Sequence, residues 1–181
     1  MAGMPPPSPS AEAPLHVVVM GVAGCGKSLV GACLSHALGL PLVEGDDFHP
    51  PGNIEKMRQA IPLTDADRAE WLQRLAQELR DNPHGAVLTC SALKRAYRDT
   101  LRGPVPHLRF IHLALTQRQA LERVASRTDH FYPPSLVASQ FEALEDPAGE
   151  PGVHGVDATL HIDRVVESAL AALRPRAFNN A

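Results

Sequence analysis

The sequence predicts an α/β fold in which helices cover both faces of a parallel sheet of about five strands. Short apolar stretches alternate with longer amphipathic ones from residue 15 onward, a pattern typical of repeated βα units. The first stretch, LHVVVM at residues 15–20, is apolar on both faces, as a central parallel strand requires. The chain of 181 residues is long enough for one domain with its own core.

Composition and charge exclude several classes of protein. The 17 Lys and Arg residues face 20 Asp and Glu residues, and no basic stripe suits a nucleic-acid binder. No apolar run approaches the roughly 20 residues of a membrane helix, and no cationic stretch marks a signal peptide. Cys25, Cys33 and Cys90 lack CxxC spacing, which favours a reducing compartment over disulfides or zinc. We therefore expect a cytoplasmic protein with no nucleic-acid or membrane partner.

Proline, glycine and helix-capping residues mark the element boundaries. Residues 1–14 hold five of the 17 prolines and are predicted to be a disordered tail, which leaves residues 15–181 as a single domain. Gly39 is predicted to end the first helix, because glycine adopts the left-handed conformation that closes a helix. Thr64 is predicted to cap a long helix that ends at Asn82. The apolar face of that helix comprises Trp71, Leu72, Leu75 and Leu79.

The remaining elements follow from the same alternation of apolar and amphipathic stretches. The predicted strands are residues 15–20, 41–44, 86–90, 108–115 and 155–158. The other predicted helices are residues 27–38, 52–60, 93–101, 117–127, 133–145 and 165–173.

The strongest functional signal is GVAGCGKS at residues 21–28, which fits the phosphate-binding P-loop pattern G-x-x-x-x-G-K-[ST]. It follows a predicted strand and begins a predicted helix, so its backbone N–H groups can converge on an anion at the helix N-terminus. Lys27 is expected to reach the β- and γ-phosphates, and the Ser28 hydroxyl to bind Mg²⁺. The sequence thus predicts a P-loop NTPase whose ATP-binding residues are Gly21, Val22, Ala23, Gly24, Cys25, Gly26, Lys27 and Ser28.

The P-loop alone does not distinguish a GTPase switch, a motor and a kinase. A GTPase needs D-x-x-G soon after its third strand, but the only match lies at residues 146–149, and no [NT]-K-x-D occurs. The L-S-G-G-Q motif of transporter ATPases is also absent. Neither residues 86–90 nor residues 108–115 end in the acid that motors usually present at a strand end. These absences favour a kinase.

Carboxylates directly follow the second predicted strand, at Glu44, Asp46 and Asp47. The carboxyl ends of parallel strands line one crevice, so these acids should face the P-loop. A carboxylate there can accept the proton of an incoming hydroxyl or hold Mg²⁺, whereas the alternative is a solvated turn. In an extended loop Glu44 and Asp46 share one side and Asp47 takes the other. His49 could bind a substrate hydroxyl from the same loop or be purely structural.

Basic residues follow in two groups that suggest an acidic substrate. Arg68 lies in the first turn of its helix, where a cation opposes the helix dipole unless an anion is nearby. Lys94 and Arg98 are four residues apart and would share one helix face, which Arg102 extends. The alternative for each is a solvated surface position.

A polar and aromatic break at residues 128–134 follows two more arginines, Arg123 and Arg127. Such a segment could close over ATP as a lid spanning about residues 127–134, its arginines clamping phosphate.

The order of these motifs resembles the bacterial-type gluconokinases, a family of ATP-dependent carbohydrate kinases. The resemblance runs from about residue 15 to 145 and rests on GVAGCGKS, EGDDFHPPGNIEKM, PLTDADRAEWL, CSALKRAYRDTLR and SQFEALEDP. It implies a P-loop fold related to nucleoside monophosphate and shikimate kinases, and it makes a homodimer possible. The implied reaction converts ATP and D-gluconate to ADP and 6-phospho-D-gluconate, with Mg²⁺.

The resemblance also implies a role for each candidate residue. Asp46 would contact the reacting hydroxyl, with Glu44 nearer the metal, although Asp47 is not excluded as the base. Arg68, with Lys94 or Arg98, would hold the substrate carboxylate. The alternatives are a kinase for another hydroxy acid such as shikimate, a nucleoside monophosphate kinase, and a nucleotide-binding regulator without turnover. The expected catalytic residues are Lys27, Asp46 and Arg127, the expected ATP contacts include Arg123, and the expected substrate contacts include His49.

Overall fold

The computed structural model describes residues 13–127 and 132–174, which form a five-stranded parallel sheet between two layers of helices. The strands are β1 (Leu15–Met20), β2 (Leu42–Glu44), β3 (Gly85–Thr89), β4 (Arg109–Ala114) and β5 (Val153–Asp157). The helices are α1 (Lys27–Leu38), α2 (Pro51–Arg58), α3 (Asp65–Asp81), α4 (Arg95–Arg102), α5 (Gln117–Ala125), α6 (Pro134–Ala143) and α7 (Ile162–Leu173). A 3₁₀ turn, Gly45–Phe48, joins β2 to the segment before α2.

The sheet has the strand order β2-β3-β1-β4-β5, and every neighbouring pair is parallel. β1 is therefore central, with β3 on one side and β4 on the other. All five strands end at the same edge, where ligands bind in open α/β sheets. The P-loop after β1 and the acidic turn after β2 meet at this edge, as the sequence predicts.

The core consists of two clusters, one on each face of the sheet. Alternate side chains of β1 point to opposite faces because successive residues of a strand alternate. Val17 and Val19 pack with residues of α1, α5 and α7, whereas Val18 and Met20 pack with residues of α3 and α4. This arrangement confirms the predicted sheet with helices on both of its faces.

Local signals placed most element boundaries to within two residues. Gly39 ends α1 in the left-handed conformation (φ 64°), and Thr64 accepts a hydrogen bond from the Asp67 N–H while the Asp67 side chain bonds back to Thr64. The largest difference is at α7, which begins at Ile162 and not at residue 165, and the starts of α4 and β5 each differ from prediction by two residues. α4 begins at Arg95, after Ala92 in a left-handed conformation (φ 45°). β5 begins at Val153 because backbone pairing with β4 compensates for its weak apolar pattern.

Parts of two predictions fall outside the described residues. Of the predicted tail, only residues 13 and 14 are described, and residues 128–131 of the predicted lid are not. In the described ranges, no helix combines the length and the apolar character needed to cross a membrane.

Candidate active site

The P-loop adopts backbone conformations that residues other than glycine rarely take. Gly21 has a φ of 147°, and an added Cβ would lie 2.8 Å from the Cys25 Sγ and 2.9 Å from the Leu113 carbonyl oxygen. Gly26 precedes α1 with a φ of 97° in the left-handed region. These conformations turn the chain tightly between β1 and α1, so the loop's N–H groups can surround an anion. The structure thus supports the predicted phosphate cradle.

The Lys27 ammonium lies against the backbone at the start of this loop. Its Nζ donates hydrogen bonds to the carbonyl oxygens of Gly21 and Val22, each at 3.1 Å. Cys25, by contrast, is buried within the loop, with 2% of its surface exposed. The ammonium is therefore available to a phosphate at the cradle, whereas Cys25 can offer only its backbone.

Three oxygen-bearing side chains meet beside the cradle. The Glu44 Oε2 accepts a hydrogen bond from the Ser28 Oγ at 3.1 Å and from the Thr89 Oγ1 at 2.6 Å. Thr89 was missed by the sequence reasoning, although the parallel register that pairs it with Glu44 explains the contact. Sequence alone carries no signal of that register.

These donors fit Mg²⁺. The described residues contain no cluster of three His, Cys, Asp or Glu that could enclose a metal. Mg²⁺ does not require one, because it is commonly held by one or two carboxylates together with substrate phosphates and water. Ser28 and Glu44 offer a hydroxyl and a carboxylate next to the phosphate cradle, and both are hard oxygen donors.

The acidic turn after β2 is anchored from both sides. The Gly45 N–H donates to the Thr89 Oγ1 at 3.2 Å, and the Trp71 Nε1 donates to the Gly45 carbonyl oxygen at 2.7 Å. Asp46 and Asp47 follow in a 3₁₀ turn, so the expectation of an extended loop was wrong. Successive side chains of a 3₁₀ turn are about 120° apart, and here both carboxylates are exposed and line the same cleft. The direction of its side chain therefore does not exclude Asp47 as the general base.

His49 is held in one orientation next to Asp46. Its ring stacks on Trp71 with the centroids 4.1 Å apart, and its side chain is 6% exposed. The Nδ1 lies 3.4 Å from the Asn53 Nδ2, which can only donate, so Nδ1 is the acceptor. Burial lowers the pKa of His49, and Arg68 adds to this effect, although the charge of Asp46 opposes both. The neutral ring therefore carries its proton on Nε2, which is 3.9 Å from the Asp46 Oδ1.

A cleft of about 470 Å³ joins the P-loop to the acidic turn. Its wall includes Arg68, whose Nη1 donates to the Leu63 carbonyl oxygen and whose guanidinium lies 5.7 Å from the centre of the Tyr97 ring. Arg127 also lines the cleft. Arg58, from α2, was missed by the sequence reasoning and is a further cation in this wall. The spacing between Arg58 and the other basic residues of the sequence does not indicate that Arg58 lines the cleft.

Arg98 does not reach the cleft, which corrects its assignment to the substrate carboxylate. Its side chain is completely buried and donates to the Ala92 and Leu93 carbonyl oxygens. Its Nη2 lies 2.6 Å from the Glu150 Oε1, and this pairing, with Arg102 nearby, lowers the pKa of Glu150 to about 2. Arg98 therefore holds the segment after α6 against α4.

Lys94 and Arg123 also lie outside the cleft. Lys94 precedes α4 with an extended backbone, so it does not share a helix face with Arg98. Its Nζ pairs with the Asp65 Oδ1 at 2.8 Å. Arg123 donates to the carbonyl oxygens of Cys25 and Ala158 and thus connects the P-loop to the residue that follows β5. The structure brings together Lys27, Ser28, Glu44, Asp46, His49, Arg68 and Arg127, and it separates Lys94, Arg98 and Arg123 from them.

Comparison with known proteins identifies the family. No protein-family model matches the chain. It is 45% identical over 160 residues to a gluconokinase of Gluconobacter oxydans, covering 87% of this chain and 90% of that protein. The thermosensitive gluconokinase of Escherichia coli is 41% identical over 160 residues, with 86% of each chain covered.

Solved structures agree with this result. The crystal structure of a gluconokinase from Sinorhizobium meliloti has a TM-score of 0.84 and 46% identity, covering 90% of this chain and 93% of that one. A shikimate kinase from Aquifex aeolicus has a TM-score of 0.61 at 17% identity, over 88% of this chain and 96% of that one, and so shares the P-loop kinase fold alone. With a phosphate cradle and acidic turn on that fold, and with these relatives, the chain belongs to the gluconokinase family.

Proposed function

We propose that this chain transfers the γ-phosphoryl group of ATP to the 6-hydroxyl of D-gluconate, giving 6-phospho-D-gluconate and ADP. The observation that carries the proposal is the single cleft in which a P-loop, two carboxylates and two arginines of the α2–α3 region meet. Gluconate presents the complementary groups, a hydroxyl to be activated and a carboxylate to be bound. The gluconokinase relatives support this choice over shikimate or a nucleoside monophosphate.

The nucleotide phosphates would bind at residues 21–28. Loop N–H groups and the Lys27 ammonium would hold the β- and γ-phosphates, and Arg127, which lines the same cleft, would contact them as a second cation. Mg²⁺, held by Ser28 and Glu44, would neutralise charge on the phosphate oxygens. Thr89 orients Glu44 through its hydroxyl, at 2.6 Å, and thereby fixes where the carboxylate points.

The acceptor hydroxyl would be activated at the acidic turn. We assign the general base to Asp46, because it is the carboxylate that His49 approaches, with its Nε2 at 3.9 Å. The neutral His49 ring has one N–H, which can be shared between Asp46 and a substrate hydroxyl. Trp71 positions both His49 and the turn that carries Asp46, since its ring stacks on His49 and its Nε1 donates to the Gly45 carbonyl oxygen.

The carboxylate of gluconate would bind to arginine on the α2–α3 side of the cleft. Arg68 is held there by Leu63 and the Tyr97 ring, which leaves part of its planar fork for a bidentate contact. Arg58 lines the same wall and provides a second charge. Lys94 supports this side indirectly, because its ammonium lies 5.8 Å from the same Tyr97 ring.

The test is a panel of acceptors with Mg-ATP, in which ADP release is measured for gluconate, other sugar acids, shikimate and AMP. We expect turnover with gluconate, and the product should then reduce NADP⁺ in the presence of 6-phosphogluconate dehydrogenase. The Lys27→Met variant, purified in parallel, controls for contaminating kinases. Faster turnover of shikimate or AMP than of gluconate would contradict the proposal.

Two expectations about the whole protein accompany it. A cytoplasmic location agrees with the three free cysteines, since free thiols are typical of a reducing compartment. A homodimer remains a prediction from the resemblance, to be measured by light scattering after gel filtration.

A further inference from the structure

Gln140 links the P-loop to Tyr132, and Ala23, Tyr132 and Gln140 all line the cleft. On α6, its Oε1 accepts a hydrogen bond from the Ala23 N–H at 2.7 Å. Its Nε2 lies 2.7 Å from the Tyr132 hydroxyl oxygen. A backbone N–H can only donate, so the amide oxygen must face Ala23 and the amide nitrogen must face Tyr132. The orientation of the Gln140 side chain is therefore determined without ambiguity.

This orientation decides the direction of the Tyr132 hydroxyl proton. Because the Gln140 Nε2 donates, the hydroxyl oxygen is the acceptor, and its own proton has to point elsewhere. That proton has no acceptor within the ranges 13–127 and 132–174. Tyr132 lines the cleft together with Asp46 and Arg68, which leaves this proton available to a ligand in the cleft.

The hydroxyl keeps this proton over the whole physiological pH range. Burial, assisted by the negative charge of Asp46, raises the pKa of Tyr132 to about 12, against smaller opposing effects of Arg68 and Gln140. A neutral phenol donates well to an anionic oxygen, and such charge-assisted hydrogen bonds are stronger than those between neutral groups.

We propose that the Tyr132 hydroxyl donates a hydrogen bond to an anionic oxygen of the bound substrates, and that Gln140 is its positioning residue. The anionic oxygen belongs either to the phosphoryl group in transfer or to the carboxylate of the sugar acid. The identity of the second candidate rests on the proposed function. The donor itself follows from the contacts of Ala23, Gln140 and Tyr132 alone.

The first test compares loss of the Tyr132 hydroxyl with loss of a hydroxyl outside the cleft. Tyr132→Phe removes only the hydroxyl, and we expect a loss of about 10-fold or more, the range for one hydrogen bond to a charged group. A fall in kcat identifies the phosphoryl oxygen, whereas a rise in the KM for gluconate identifies the carboxylate. Thr100→Val is the matched control, since it also removes only a hydroxyl, one that donates to the Ala96 carbonyl oxygen on α4 outside the cleft, and it should stay within twofold of wild type. A Tyr132→Phe variant within twofold in kcat and in both KM values overturns the proposal.

The second test separates positioning from a structural role. Gln140→Met keeps the length of the side chain but removes both of its hydrogen bonds. We expect it to change the same kinetic parameter as Tyr132→Phe, and to add less than twofold when the two are combined, because coupled residues are not additive. If Gln140→Met caused the same loss in the wild type and in Tyr132→Phe, Gln140 would act on the P-loop directly. That result would overturn its role as the positioning residue of Tyr132.

A failure of the Tyr132 proposal can be distinguished from a failure of the proposed function. Failure of the wild-type protein to phosphorylate gluconate would contradict the proposed function. The ratios of variant to wild type are then measured on the acceptor in the panel that is phosphorylated, or on ATP hydrolysis if none is. Unchanged ratios there would overturn the role of Tyr132.

Discussion

Replacing Glu150 with glutamine would remove the charge that holds the Arg98 guanidinium inside the protein. Arg98 is fully buried, and the Glu150 side chain is 9% exposed, with the Nη2 and Oε1 atoms 2.6 Å apart. Arg102 adds a second contact to the same carboxylate at 2.9 Å. The variant leaves a buried guanidinium facing a neutral amide, which cannot balance its charge.

The size of the effect follows from two arguments. A carboxyl group whose pKa falls from 4.5 to about 2 on folding stabilises the folded state by about 3 kcal/mol at neutral pH. Removing one partner of a buried ion pair typically costs about 3–5 kcal/mol. We therefore expect Glu150→Gln to lower the free energy of unfolding by about 3 kcal/mol.

Urea unfolding at pH 7 measures this change, and its pH dependence provides a second measurement. Because the folded-state pKa is lowered, the stabilisation is complete above pH 4.5 and is lost as the pH falls toward 2. The difference between wild type and variant should therefore shrink over that interval. Glu167→Gln is the matched control, since its pair with Arg164 is exposed on both sides and should contribute at most about 1 kcal/mol.

The same variant tests the corrected role of Arg98. If the pair is structural, the folded fraction of Glu150→Gln should bind gluconate with an unchanged KM. A loss of stability below 1 kcal/mol, on the order of a surface pair, would refute the energetic reasoning. A gluconate KM raised tenfold in a fully folded variant would return Arg98 to the substrate site.

Three further predictions concern the cleft. Lys27→Met should lower kcat by about 10²–10³-fold, the cost of losing one electrostatic donor, with the nucleotide-free Tm unchanged; near-normal turnover would remove Lys27 from the mechanism. Asp46→Asn should lower kcat by roughly 10²–10⁴-fold while gluconate binding, measured by calorimetry, is retained, and Asp47→Asn should cost less than about 10-fold. The reverse ranking would assign the base to Asp47. Arg68→Leu, and in parallel Arg58→Leu, should raise the KM for gluconate by roughly 10–100-fold with little change for ATP, whereas equal effects on both substrates would exclude a carboxylate contact.

The sequence by itself determined the features that depend on contiguous residues. The P-loop was predictable because its glycines, Lys27 and Ser28 act within one turn of chain, where spacing fixes geometry. The start of α3 was predictable for the same reason, since Thr64 and Asp67 cap the helix locally. Strand alternation likewise predicted the sheet and placed the acidic turn at the edge that carries the P-loop.

Only the tertiary structure decided which side chains reach the cleft. Arg98 is buried because α4 packs against the segment that contains Glu150, 52 residues away. Thr89 supports Glu44 through a strand register, and Gln140 meets Ala23 across 117 residues of sequence. Such contacts depend on how elements pack, and a cation's charge or helical spacing does not reveal whether its partner is a substrate or another part of the chain. The phosphate site could therefore be read from local sequence, whereas the substrate side required the folded protein.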